Sequence, residues 1–175
     1  TGRKNDLQRN IVDFENKFLT NYVKDKSITK PNKVRAKPVI ILQDARNKGS
    51  QWSYFERKPS QDWIEVGYND QDWKSGFGGF GTRGTPGSHV RTVWKGKEIW
   101  LRTTFRLAAI PKTLRLTLHH DEDVEVYLNG KLVLQKAGHT SNYHTHDITR
   151  ESADVLQTGK NVMAVHCRQT VGGQY

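Results

Sequence analysis

Histidines and carboxylates gather in one short run, His119-His120-Asp121-Glu122-Asp123, and a further pair, His144 and His146, stands one residue apart downstream. Glycosidic hydrolysis needs two carboxylates across one cleft, roughly 5–10 Å apart. Asp121 and Asp123 share a face of a regular strand, but no second acid is placed to partner them, so catalysis is not expected. Such carboxylates more often accept backbone N–H bonds in a loop. Calcium takes six or more oxygens, and Asp121 and Asp123 offer two or three, which leaves a structural calcium site as a candidate. Zinc needs a defined ligand set, and His144-x-His146 provides two ligands on one face. No other cofactor is expected. Cys167, the single cysteine, can form no intrachain disulfide and reads as a buried, inert thiol.

Binding a polyhydroxylated ring needs an aromatic platform for its C–H face and planar polar groups for its hydroxyls. Trp94, Trp100, Tyr127 and Tyr143 are candidate platforms, with His119, Asp121, Arg102 and His144 as candidate polar partners. The expected site is Trp94, Trp100, Arg102, His119, Asp121, Tyr143 and His144, carried on loops at one end of the fold. Taken singly, each Trp is expected in a core or covering a sheet. Arg83, His89 and Arg91 edge a glycine-rich loop and are further candidates. That loop matches GxGxxG by letter at Gly76, Gly78 and Gly81, but Pro86-Gly87 and another strand follow it where a nucleotide fold requires a helix.

These residues depend on strands for their placement. Val124, Val126 and Leu128 alternate with Glu125 and Tyr127, Asn129-Gly130 supplies the two positive-φ residues of a type I′ turn, and Leu132 and Leu134 alternate on the return. Ile99–Leu107 and Leu114–Leu118 alternate likewise, with Pro111 marking a turn between them. Trp52–Phe55 and Val162–Cys167 read as strands, Val39–Leu42 as a short strand and Gly138–His146 as a polar loop. About eight short strands with turn signals every 8–12 residues predict an all-β, antiparallel β-sandwich of the jelly-roll type.

Residues 1–48 differ. Leu7, Ile11, Phe14, Phe18, Leu19 and Tyr22 form one apolar stripe along a helix predicted over Asn5–Lys24, and Lys26–Pro38 reads as an extended basic linker. The net charge of +10 is concentrated there. Residues 1–48 carry 12 Lys+Arg against 5 Asp+Glu, whereas 49–175 carry 16 against 13. A basic sandwich that binds nucleic acid is therefore not expected, although the extension itself could touch phosphates. Asp13 and Glu15 argue against a membrane-surface helix, and no stretch approaches the ~20 apolar residues of a membrane span. The expected organisation is a helix and linker over 1–48, the tail of an upstream domain, and a sandwich over 49–175 that lacks its last strand.

A set of motifs in fixed order carries a resemblance. Trp52-Ser53-Tyr54, Asp62-Trp63, Asp72-Trp73 and Gly76-Phe77-Gly78-Gly79-Phe80-Gly81 come first, followed by Ile99-Trp100-Leu101-Arg102 with Phe105. His120–Gly130 and Gly159-Lys160-Asn161-Val162 close the series. Together they resemble the galactose-binding-like β-sandwich domains appended to glycoside hydrolases, including the sugar-binding domain of the β-galactosidase and β-glucuronidase superfamily. The resemblance covers residues 49–175. It implies a non-catalytic jelly roll within a larger carbohydrate-active protein that is secreted or periplasmic. The implied partners are a glycan or polysaccharide and a neighbouring catalytic domain. It also implies that Trp100 and the Asn129-Gly130 hairpin are architectural. The alternative function is bracing the catalytic domain without binding sugar.

Overall fold

The computed structural model describes residues 38–175. The helix expected over Asn5–Lys24 and nearly all of the linker after it lie outside these residues. Ten strands form among the described residues: β1 (Gln51–Phe55), β2 (Lys74–Phe77), β3 (Phe80–Gly81), β4 (Thr92–Val93), β5 (Glu98–Leu107), β6 (Arg115–Leu118), β7 (Asp123–Leu128), β8 (Lys131–Lys136), β9 (His144–Asp147) and β10 (Gly159–Arg168). A 3-10 turn, Gln61–Ile64, and one short helix, α1 (Thr149–Ser152), complete the set.

One antiparallel sheet of six strands, in the order β2-β1-β5-β10-β7-β8, forms the first layer. The facing layer is split into two ribbons, parallel β3-β4 and antiparallel β6-β9. The core is divided in the same way. Phe105, Leu107, Val124, Val126, Leu128 and Val133 meet Leu114, Leu116 and Leu118 from the β6 side. Towards the other end, Ile99, Cys167, Trp52 and Tyr54 meet Phe80 and Trp94. The expected all-β sandwich is therefore present, and the alternation in β5, β6 and β7 sets which residues face inward.

The hairpin that joins β7 to β8 turns at Asn129 (φ 48°) and Gly130 (φ 87°), as the Asn-Gly pair requires. Asn129 also ties the turn inward. Its amide nitrogen donates to Val155 O (2.7 Å) and Asn161 Oδ1 (2.8 Å), and its Oδ1 accepts from Val162 N–H (2.8 Å). A Cβ on Gly130 would lie 2.8 Å from the Glu65 carboxylate. Gly130→Ala therefore combines a left-handed backbone with a clash. It should destabilise the domain by about 1 kcal/mol or more, lowering the melting temperature by roughly 2–4 °C in a thermal scan. An unchanged melting temperature would contradict the close packing of Glu65 on the turn.

Four local expectations change. Leu132 and Leu134 do not share a face, because a β-bulge at Val133 breaks the alternation. Tyr127 pairs with Leu132 and Val126 with Leu134, so Val133 turns into the core and Leu132 is left exposed. His144–His146 lies in a strand, because β6 supplies its partners (Leu118↔His144, Leu116↔His146), and Thr117 and Thr145 hydroxyls meet at 2.8 Å. The Gly159 turn opens directly into β10, the ten-residue central strand. Val39–Leu42 is irregular rather than a strand, with Ile41 and Leu42 packed on the first core cluster. The compact unit accordingly begins at Ile40, ahead of the boundary expected at residue 49.

Candidate functional site

The residues expected to form one sugar site are distributed over separate regions of the fold. Trp94 is 1% exposed, packed with Phe80, Ile99 and Cys167 between the two layers. Its indole N–H has no acceptor, and neither ring face reaches solvent. It is a core residue, which corrects its expected role as a platform.

Trp100 and Arg102 alternate with Ile99 and Leu101 and therefore point to the outer face of the six-stranded sheet. Around Arg102 that face is covered by segment 56–73. Arg102, 3% exposed, donates to the Trp63 carbonyl, to Glu65 O (3.1 Å) and to Asp70 Oδ2 (3.3 Å), and its guanidinium lies 5.1 Å from the centre of the Tyr68 ring. The two Asp-Trp pairs belong to this covering segment. Trp63 meets Tyr127 edge-on (5.7 Å) and Trp73 stacks on Phe55 (5.5 Å, 13°). Trp100, 5% exposed, stacks on His166 (4.7 Å, 11°). Arg102 is thus a fastener for the covering segment, with each of its three nitrogens engaged and its side chain out of reach of a ligand, and Trp100 offers no free platform. Both expectations are corrected: Arg102 lies under the covering segment, and Trp100 is buried with one ring face against His166.

Beside Trp100, a shallow groove of about 260 Å³ opens over Asp123, Glu125, Gln135, Lys136, His166 and Arg168. Most of its polar groups serve one another across the strands. Glu125 accepts from Tyr127 Oη (2.9 Å) and Gln135 Nε2 (3.1 Å), and His166 stands 3.5 Å from both Glu98 and Glu125 carboxylates.

His119, Asp121 and Tyr143 do come together, at one rim of the sandwich. The His119 ring lies 5.5 Å from Tyr143 and 4.6 Å from Tyr175. The Tyr143 and Tyr175 hydroxyls are hydrogen-bonded, and the Asp121 N–H donates to Tyr175 O (2.8 Å). Arg46, paired with Asp44 at 2.6 Å, lies 4.4 Å over the Tyr143 ring. Tyr175 and Arg46 were not anticipated, because neither stands in a motif. They reach the rim from segments more than a hundred residues apart. His89 stacks obliquely on Tyr143 (6.2 Å), and Arg91 donates to Ala45 O (2.7 Å) and Asn47 O (2.8 Å), which fixes the loop that carries Arg46. His144 is exposed at the start of β9, opposite Leu118 and near enough to act on the charge of the His119 and His120 rings.

Burial governs the electrostatics of the rim. It pushes the Tyr143 phenol far above its usual range, with the Tyr175 hydroxyl bond as the next cause. It raises the Asp121 carboxyl and lowers the His119 imidazole. The expected calcium pair is not assembled. Asp123 accepts from Gly138 N–H (2.9 Å) and lies 3.8 Å from Arg168. Among the described residues no three His, Cys, Asp or Glu side chains group to hold an ion.

The glycine loop also has a packing explanation. Gly79 has φ 104°, and a Cβ there would lie 2.4 Å from His89 O. Gly79 and Gly81 admit a neighbouring backbone, that of His89 and Gln174.

No family model matches the sequence, and no curated protein matches it. Solved structures do. A glycosyl hydrolase family 2 member from Bacteroides cellulosilyticus matches over 73% of this chain and 19% of its own, at 16% identity and a TM-score of 0.55. Bifidobacterium dentium β-glucuronidase matches over 77% and 20%, at 14% identity and a TM-score of 0.52. A β-glucuronidase from Bacteroides uniformis matches over 71% and 14%, at 18% identity and a TM-score of 0.50. This chain therefore carries the β-sandwich fold of a domain within these glycoside hydrolases and spans a fifth or less of their length.

Proposed function

We propose that the chain is an accessory, non-catalytic β-sandwich of a larger glycoside hydrolase, and that it braces a neighbouring catalytic domain. The observation that carries this reading is the shared fold, which takes in about three quarters of this chain and a fifth or less of each solved enzyme. The site geometry supports bracing over sugar capture, because Trp94, Trp100 and Arg102 are all used in packing. Among the described residues no helix is long and apolar enough to cross a membrane. A secreted or periplasmic parent fits the reading.

The test is the complete reading frame together with an assay of the chain itself. A catalytic glycosidase domain should be encoded in the same frame. The 175-residue chain should release no nitrophenol from nitrophenyl β-glycosides. A frame without such a domain, or turnover by the chain alone, overturns the proposal. Glycan binding is the second reading, favoured by the convergence of His119, Asp121 and Tyr143 at the rim. Calorimetric titration with galactose, glucuronic acid and plant oligosaccharides distinguishes the two readings. Heat that vanishes in Tyr143→Ala would favour glycan binding, and no heat at millimolar sugar would favour bracing.

A further inference from the structure

We propose that Asn129 is a modification site, withheld from deamidation by a clasp of hydrogen bonds while the hairpin is closed, and that the acid formed once the hairpin opens keeps the clasp from closing again. The clasp fixes the orientation of two side-chain amides. Asn161, fully buried, donates from Nδ2 to Gln157 O (2.8 Å) and Gly159 O (3.1 Å). Its Oδ1 therefore faces the other way, where it accepts from Gln157 N–H (3.0 Å) and from Asn129 Nδ2 (2.8 Å). Asn129 Nδ2 also donates to Val155 O (2.7 Å), and Asn129 Oδ1 accepts from Val162 N–H (2.8 Å). A backbone carbonyl only accepts and a backbone N–H only donates, so neither amide can exchange its oxygen and nitrogen and keep these bonds.

Gly130 supplies the nucleophile. Glycine has no Cβ to hinder approach to its nitrogen. In the reaction the Gly130 nitrogen attacks Asn129 Cγ and gives up its proton. An N–Cγ bond forms, the Cγ–Nδ2 bond breaks, and Nδ2 takes up a proton and leaves as ammonia. The five-membered imide then adds water. Cleavage of the new N–Cγ bond gives aspartate, and cleavage of the original Asn129 C–N bond gives isoaspartate. The attack requires the carboxamide to swing its Cγ over the Gly130 nitrogen. With Nδ2 and Oδ1 both bound to segment 155–162, that swing breaks three hydrogen bonds at once. The reaction therefore waits on local opening of the hairpin.

Neither product fits the closed clasp. Aspartate accepts a left-handed backbone as asparagine does, so the turn angle is not the obstacle. A carboxylate oxygen in place of Nδ2 would face Val155 O and Asn161 Oδ1, two acceptors with no proton to give. Asn161 cannot turn its own nitrogen towards it, because that nitrogen serves Gln157 O and Gly159 O. The Glu65 carboxylate, packed against Gly130, adds a like charge beside the turn. Isoaspartate also lengthens the main chain by a methylene between Leu128 and Lys131, which are paired across the turn. Opening is thus reversible until the amide is lost and one-way afterwards.

Incubation of the 175-residue chain at pH 8.0, folded and in denaturing guanidinium chloride, tests this. Digestion and mass spectrometry of the peptide carrying Asn129 measure the acid formed. Acid should accumulate at least about tenfold more slowly in the folded chain. Chain partly converted in denaturant is then refolded and exposed briefly to protease at the urea midpoint of the unconverted chain. The survivors should be depleted of acid at position 129 by at least about threefold. Asn129→Asp should melt below the wild type, and if it does not fold, the protease experiment decides. Equal rates in the two states, acid shared evenly between digested and surviving molecules, or an Asn129→Asp chain that melts with the wild type would each overturn the proposal.

Discussion

Trp94→Ala should lower the stability of the sandwich by about 3–5 kcal/mol, the usual cost of truncating a fully buried Trp. The indole sits between the layers, with Phe80 from β3 on one side and Ile99 and Cys167 from the large sheet on the other. This half of the facing layer is a two-stranded ribbon of two residues per strand, so few other side chains can collapse into the space. Domains of this size are stable by only about 5–15 kcal/mol, so the variant should sit close to its unfolding threshold. Urea denaturation measures the effect as a lower midpoint at unchanged slope. A residue that served as an exposed sugar platform would behave in the opposite way, with stability kept and binding lost. That outcome would remove Trp94 from the core and reopen the site expected from the sequence.

Arg102→Ala should destabilise the domain by about 3 kcal/mol through a different route. The guanidinium satisfies two backbone carbonyls, Trp63 O and Glu65 O, and the Asp70 carboxylate. Removing it deprives the Trp63 carbonyl of its bond and leaves Glu65 O with only the Tyr68 N–H (3.2 Å); an unsatisfied buried polar group costs about 1–3 kcal/mol, and the packing of the buried side chain is lost as well. Arg102→Lys should recover less than half of the loss, because an ammonium cannot reproduce the fork that reaches three acceptors. The effect should be local first. Trp63 and Trp73 anchor the segment to Tyr127 and Phe55, so their fluorescence should shift, and protease should cut within 56–73 while the sheet persists. If the segment remains protected in Arg102→Ala, then Trp63 and Trp73 hold it without help.

Much of the sheet was legible in the sequence because strand alternation is a local property. A side chain two positions along returns to the same face, so the inward residues of β5, β6 and β7 could be named without knowing what they meet. The Asn129-Gly130 turn was legible for a similar reason, since only a few residue types accept its backbone angles. Where a partner decides, the residues carried no signal. The bulge at Val133 and the pairing of His144–Asp147 with β6 depend on a neighbouring strand, and nothing in Leu132-Val133-Leu134 or His144-Thr145-His146 announces it.

The same distinction runs through the candidate site. Residue types alone mark Trp94, Trp100, Arg102, His119, Asp121, Tyr143 and His144 as capable of holding a sugar. Only the tertiary structure decides which of them can reach one. Alternation places Trp100 and Arg102 on the outer face of β5, but the burial of Arg102 depends on segment 56–73 folding back over it, and Trp100 stacks on His166 of β10. The rim, where His119, Asp121 and Tyr143 meet Tyr175 and Arg46, is assembled from loops distant in the chain. Local pattern determines the direction in which each side chain leaves the backbone, and long-range packing determines whether water, protein or a ligand lies there.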